Sequence, residues 1–112
     1  VLLAAAAFVC LSASIVDGDT LRCANVEDAN GRVRLARIDT PERGEAGFNE
    51  ASAALAAMIA GREVTCELVD AEPGTAGFQR RDRYGRPVAR CRTSEGDLGE
   101  RMVQSNLAIR WP

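Results

Sequence analysis

The chain has 112 residues, a length that suits one domain. Its net charge of −2 excludes a broadly basic surface that coats nucleic acid. It contains no histidine, which excludes histidine acid–base catalysis and histidine metal ligation. Residues 1–7 are apolar and rich in alanine. They read as the end of a signal-peptide core with a cleavage site before Phe8, and the run is too short to span a bilayer. A truncated start that merely extends the first strand is the alternative. Residues 8–112 then form one domain. A first strand is expected over 8–16, a tight turn at Asp17-Gly18, and a second strand over 20–25. Residues 27–31 carry turn chemistry. A third strand over 32–38 is expected to place Val33, Leu35 and, at its end, Arg37 on one face, with Arg34, Ala36 and Ile38 on the other. Pro41 ends it. After a loop, Asn49 is expected to cap a helix that runs to Ala60 and stops at Gly61. Its stripe of Ala51, Leu55, Met58 and Ile59 is core. A fourth strand follows over 63–69, a long loop over 70–83, and a fifth strand over 86–92. Asp97 and Glu100 resemble a capping box for a second helix ending near Ser105, with Asn106 as a left-handed stop.

Three strands, a helix, two strands and a helix describe a five-stranded, antiparallel OB-type Greek-key barrel, mainly β within the α+β class. A small α+β sandwich has the same element order.

The four cysteines suggest two disulfides, hence an oxidising compartment. None stands in a Cys-x-x-Cys spacing, which argues against zinc. A hairpin that aligns Val69 with about Arg86 sets Cys66 nearly opposite Cys91, within reach of a disulfide. The remaining pair is Cys10–Cys23. Its register is poorer, because a two-residue turn at Asp17-Gly18 sets Cys10 opposite about Asn25. Four reduced core residues are the alternative.

All fourteen cations are arginine, so every one can grip an oxyanion through a planar fork; codon bias is the ordinary reason for such a composition. Six of them fall between Arg80 and Arg92, beside one aspartate. That run reads either as a solvated strand edge or as an anion site. The acids cluster too. Asp19 opens the second strand and Asp39 closes the third, ends that can meet in a meander. Asp-Gly-Asp-Thr and Asp-Thr-Pro-Glu are also ordinary turn and strand-stop chemistry. Two carboxylates with a carbonyl and waters suit Ca²⁺, and the spacing equally accommodates Mg²⁺. Arg34 and Arg86 could face one phosphate and neutralise the charge of a pentacoordinate transition state. Glu42, on a proline-stiffened turn, could hold a water as general base. As a plain loop acid it would do nothing.

Asp17-Gly18-Asp19-Thr20, Arg34-Leu35-x-x-Ile38-Asp39-Thr40-Pro41-Glu42 and Asp82-x-Tyr84-Gly85-Arg86 stand in order along the chain. With them the chain resembles the staphylococcal nuclease (thermonuclease) family from about Phe8 to Trp111. The resemblance implies an OB-fold endonuclease that hydrolyses DNA and RNA with Ca²⁺ and leaves 3′-phosphate ends. It implies Asp19, Asp39 and the Thr40 carbonyl as metal ligands, Glu42 as general base or water-orienting group, and Arg34 and Arg86 on the phosphate. It further implies Arg83 and Tyr84 as contacts to nucleotide phosphate. The expected partners are DNA and RNA, single-stranded by preference. The mature protein is expected to be a monomer without a membrane association, secreted or periplasmic. The resemblance ends before the type member's C-terminal helix and the aromatic residues that flank the base. Gly99 stands where the family usually has asparagine, the 70–83 loop looks longer, and the cysteines are absent from the type member. The competing reading is an inactive OB module that binds nucleic acid or a peptide. Such a module is expected to have lost Asp19, Arg34, Asp39, Glu42 or Arg86, and all five are present.

Overall fold

The computed structural model describes residues 7–111. The expected signal-peptide remnant lies outside them except for Ala7, which opens the first strand. In chain order the elements are β1 (Ala7–Cys10), β2 (Ser14–Asp17), β3 (Thr20–Arg22), β4 (Arg32–Leu35), β5 (Ile38–Asp39), α1 (Phe48–Ile59), β6 (Val64–Leu68), β7 (Val88–Thr93), β8 (Gly96–Asp97), α2 (Leu98–Gln104) and β9 (Ile109–Arg110).

The main sheet runs β1-β6-β7-β4-β3-β2, with β8 added to β7. Its two end strands are the two halves of the expected 8–16 strand. That segment breaks at Leu11-Ser12, where Ser12 takes a left-handed φ of 50°. Its first half pairs with β6 and its second with β3, so one bent segment joins both ends of the sheet. This bend curls the sheet into an OB-type barrel, with β1 and β2 each paired on one side. Asn25 holds the corner: its side chain accepts from the Leu11 N–H at 2.9 Å and donates to the Val9 carbonyl at 2.8 Å.

Two expectations about the sheet are corrected. The barrel is mixed rather than antiparallel, because β4 and β7 pair in parallel. The expected 32–38 strand is also split. Arg37 adopts φ 66°, and the turn at Ala36-Arg37 slips the two-residue period by one. Ile38 therefore joins Val33 and Leu35 in the core rather than facing away from them. Beyond the turn, β5 leaves the barrel and pairs with β9.

Helix α1 begins two residues earlier than expected. Gly47, at φ 93°, occupies the N-cap in place of Asn49. Gly47 packs closely on the Pro41 ring, where a Cβ would come within 3.1 Å of Cγ. Ala51, Leu55 and Ile59 form the buried stripe, with Met58 partly buried beside them. In α2 the Asp97 carboxylate accepts from the Glu100 N–H at 2.9 Å. The capping box is only half formed, because the Glu100 side chain binds Arg110 instead. Leu21, Val33, Leu35, Leu55, Val64, Leu98 and Met102 fill the barrel and its contact with both helices. Each such side chain contributes about 1.5–3 kcal/mol by leaving water.

Both expected cysteine pairs are bonded. Cys66 and Cys91 are direct ladder partners on β6 and β7. Cys10 reaches Cys23 despite the poor two-residue register, with Cα atoms 5.0 Å apart. The bend at Leu11-Ser12 and a bulge between Ile15 and Asp17 correct the offset.

Candidate active site

The β2–β3 turn delivers the first acid. Asp17 Oδ1 accepts from the Asp19 N–H at 3.2 Å, which folds the turn back on itself. Asp19 is buried, and its carboxylate receives hydroxyl hydrogen bonds from Thr20 at 2.9 Å and Thr40 at 3.0 Å. Arg34, the ladder partner of Thr20, sets Nη2 3.4 Å from Asp19 Oδ2 and 3.7 Å from Asp39 Oδ1. Its Nη1 donates to the Leu35 carbonyl at 2.7 Å, which fixes the fork. Asp19, Arg34, Asp39 and Thr40 are thus brought together. Asp17 joins them. Burial pushes its carboxyl above the usual range, as do a hydrogen bond with the Asp19 side chain and the negative charge of Asp19.

Gly18 is required in this turn by close approach. A Cβ there would lie 2.8 Å from Ala51 Cβ on α1 and 3.2 Å from Thr40 Oγ1. Gly18→Ala is expected to lower stability by about 1–3 kcal/mol. It should also displace Asp19 from Thr40. Denaturant unfolding that matches the parent protein would show that the turn has more room than this.

The second cluster lines a cavity of about 530 Å³ between β4, β7 and the long loop. Arg34, Arg83, Tyr84 and Arg86 all border it. Asp82 organises the loop. Its Oδ1 accepts the Tyr84 and Arg86 N–H groups, each at 2.9 Å. Its Oδ2 accepts Arg86 Nε and Nη2, each at 2.9 Å. The Arg86 guanidinium also lies 5.1 Å from the centre of the Tyr84 ring. Glu72 accepts the Arg83 N–H at 3.2 Å. The sequence motif contains Asp82 without assigning it a role; here it is the positioning residue for Arg86.

Glu42 is not part of this lining. It stands on the exposed turn after Pro41, two residues beyond Thr40, and its N–H donates to Glu45 at 2.6 Å. Arg90, from the Arg80–Arg92 run, also borders the cavity, and two further residues at its edge, Arg37 and Trp111, escape sequence reasoning. The lone tryptophan was the available signal.

Among the described residues, no three acids or cysteines converge in ready ligand geometry. The donors nevertheless fit a hard cation. Two carboxylates already gather around one positive nitrogen of Arg34, a third lies beside Asp19, and every donor is oxygen. The arrangement sets the acids and the arginine-lined cavity side by side, with Arg34 bordering both.

The family described as Staphylococcal nuclease homologue matches residues 32–111, the segment that carries Arg34, Asp39, Thr40, Glu42 and Arg86. The chain is 33% identical over 109 residues to the succinoglycan biosynthesis protein ExoI of Rhizobium meliloti, covering 87% of this chain and 49% of that protein. It is 29% identical over 99 residues to an uncharacterized endonuclease of Haemophilus influenzae, covering 88% of this chain and 50% of that protein. The chain spans about half the length of both relatives. With its OB-type barrel and its residues 32–111 matching, the chain belongs to the staphylococcal nuclease homologue family.

Proposed function

We propose that this protein is a Ca²⁺-dependent nuclease that hydrolyses single-stranded DNA and RNA and leaves 3′-phosphate ends. One observation carries the reading: Arg34 touches the carboxylate pair Asp19/Asp39 and also borders the cavity that holds Arg86. A phosphodiester between Arg34 and Arg86 would sit next to the acids. Asp19, Asp39 and the Thr40 carbonyl would hold the ion, which when bound supplies electrostatic stabilisation to the phosphate. Arg34 and Arg86 neutralise the charge that builds on the equatorial oxygens. Glu42 takes a proton from the attacking water. The new P–O bond forms as the bond to the 5′ oxygen breaks, and that oxygen leaves with a proton from solvent. Arg83 and Tyr84 bind the neighbouring nucleotide phosphate.

Single-stranded and duplex DNA and RNA incubated with Ca²⁺, Mg²⁺ or chelator test the proposal. Cleavage of single strands in Ca²⁺ is expected, with products that a polymerase extends only after phosphatase treatment. Undiminished cleavage in excess chelator would overturn it.

The same reading places the protein in a secreted or periplasmic compartment, cleaved before Phe8 and acting as a monomer. Its support is the pair of disulfides, which persist in oxidising surroundings. No helix among the described residues is long and apolar enough to cross a membrane. Mass analysis of the exported fraction is expected to give a chain starting at Phe8 with Cys10–Cys23 and Cys66–Cys91 peptides linked. A cytoplasmic product with four free thiols is the contrary result.

A further inference from the structure

The outer face of β3 and β4 carries two arginines that no acid answers. Arg22 and Arg32 are direct ladder partners, and both point away from the core that Leu21 and Val33 fill. The next partner in that row, on β2, is the uncharged Ser14. Like charges directly opposite one another on a sheet repel. Among the described residues, neither arginine forms an ion pair. The acids of the adjoining turn do not relieve them. Asp28 is paired with Arg81 at 3.0 Å, and Glu27 pairs with neither arginine.

The turn between the two strands fixes both side chains. Arg22 Nε donates to the Asn30 carbonyl and Arg32 Nε to the Ala29 carbonyl, each at 3.0 Å. These carbonyls are neighbours in a turn where Ala29, Asn30 and Gly31 take left-handed φ values of 53°, 61° and 82°. For alanine that conformation costs about 1–2 kcal/mol. Gly31 also admits the Arg22 stem, because a Cβ there would lie 3.2 Å from Arg22 Cγ and 2.7 Å from the Cys23 carbonyl. Only Nε of each arginine is used. Among the described residues, the Nη groups of both have no protein acceptor. Turn carbonyls that accept an arginine are ordinary fold chemistry. Two guanidiniums set opposite each other, with open Nη groups and no carboxylate between them, are complementary to one oxyanion.

The place of the pair in the fold names the anion. Arg32 precedes Arg34 by two residues on the same face of β4, a separation of roughly 6.5–7 Å along the strand. That is close to the spacing of consecutive phosphates in an extended nucleic-acid strand. The Arg34 N–H donates to the Pro87 carbonyl at 3.0 Å, so the segment that carries Arg86 runs alongside β4. We propose that Arg22 and Arg32 form a second phosphate subsite, which binds the backbone phosphate next to the one held by Arg34 and Arg86. The inference rests on the nuclease reading and specifies its substrate as a strand with consecutive phosphates. The subsite touches backbone rather than bases, so it adds affinity without reading sequence. A substrate with one linkage fills the first site alone, and a longer strand fills both.

The test uses the Glu42→Gln protein in Ca²⁺, so that strands bind with little cleavage. Binding of an eight-residue oligothymidylate and of a dinucleotide is followed by calorimetric titration over a range of salt. Adding Arg22→Ala and Arg32→Ala together should weaken octamer binding about tenfold and lower its log–log salt slope by about 0.7, the share of one single-strand phosphate. Dinucleotide binding should stay nearly the same. Arg22→Lys with Arg32→Lys keeps the charge without the planar fork. That pair should restore the slope and part of the affinity. Unchanged octamer affinity and slope in the alanine variant overturn the inference. An equal loss for dinucleotide and octamer also overturns it, because the arginines then act only by shaping the turn. So does a lysine pair that leaves the slope as low as the alanines do. A parent protein that neither binds nor cleaves the octamer would instead refute the nuclease reading itself.

Discussion

Glu42→Gln and Arg86→Ala are each expected to lower kcat by about 10²–10³-fold while the protein stays folded. The two positions test different parts of the reaction. In the proposed reaction Arg86 meets the charge that accumulates on phosphorus-bound oxygens, and it borders the same cavity as Arg34. Its loss leaves Asp82 still accepting the Tyr84 N–H and the main-chain N–H of residue 86, so the loop keeps its turn. Glu42 is exposed, and the hydrogen bonds it makes with Glu45 run through its own main chain. Its amide therefore costs the fold within about 0.5 kcal/mol, as surface substitutions usually do. Turnover on saturating single-stranded DNA, measured beside denaturation midpoints, separates chemistry from folding. Near-normal turnover in either variant would show that its role is misassigned. For Glu42 this is a sharp test, because the structure does not set it on the cavity wall.

How far the sequence reached depends on where each signal resides. Local patterns were sufficient for the helices and for β6–β7. Alternation, a long loop of known ends and two cysteines at matched offsets specify that hairpin, and Cys66 does face Cys91. The breaks were not legible. Ser12 and Arg37 take left-handed φ values without being glycine or asparagine, so nothing in the residue type announces a turn. Each break moves partners by a whole strand: one closes the barrel, the other sends β5 to β9. The parallel β4–β7 contact is a property of the closed barrel and has no short-range signature. At the candidate site the motifs offered candidate residues but not how the fold arranges them. That Arg34 lies between two carboxylates, that Asp82 clamps Arg86, and that Arg37 and Trp111 are tied through one hydrogen bond are all consequences of chain segments far apart in sequence.

Arg34→Ala is the substitution in which fold and chemistry are entangled, and the structure says how to separate them. Arg34 is mostly buried, with its side chain 17% exposed, and the Asp19 side chain is 10% exposed. Removing the guanidinium leaves Asp19 with its two threonine hydroxyls but no cation, and Asp39 loses the same partner. Breaking a fully buried pair costs about 3–5 kcal/mol, and residual solvent with retained hydroxyl bonds brings the expected loss here to about 2–3 kcal/mol. Turnover should fall at least about 10²-fold, since the proposed transition-state charge partner is gone. The Ca²⁺ response distinguishes the two losses. In the parent protein Arg34 already relieves the repulsion between the carboxylates. In Arg34→Ala that repulsion is unrelieved, so a bound cation has more to stabilise. Saturating Ca²⁺ is therefore expected to raise the Tm of Arg34→Ala by more than it raises that of the parent. Arg34→Lys should recover part of the stability but little of the turnover, because a single ammonium cannot reach Asp19, Asp39 and a phosphate in one plane. If Ca²⁺ leaves both melting temperatures unchanged, Asp19 and Asp39 do not form a metal site. If Arg34→Ala matches the parent in stability without Ca²⁺, the guanidinium is not what holds the two acids together.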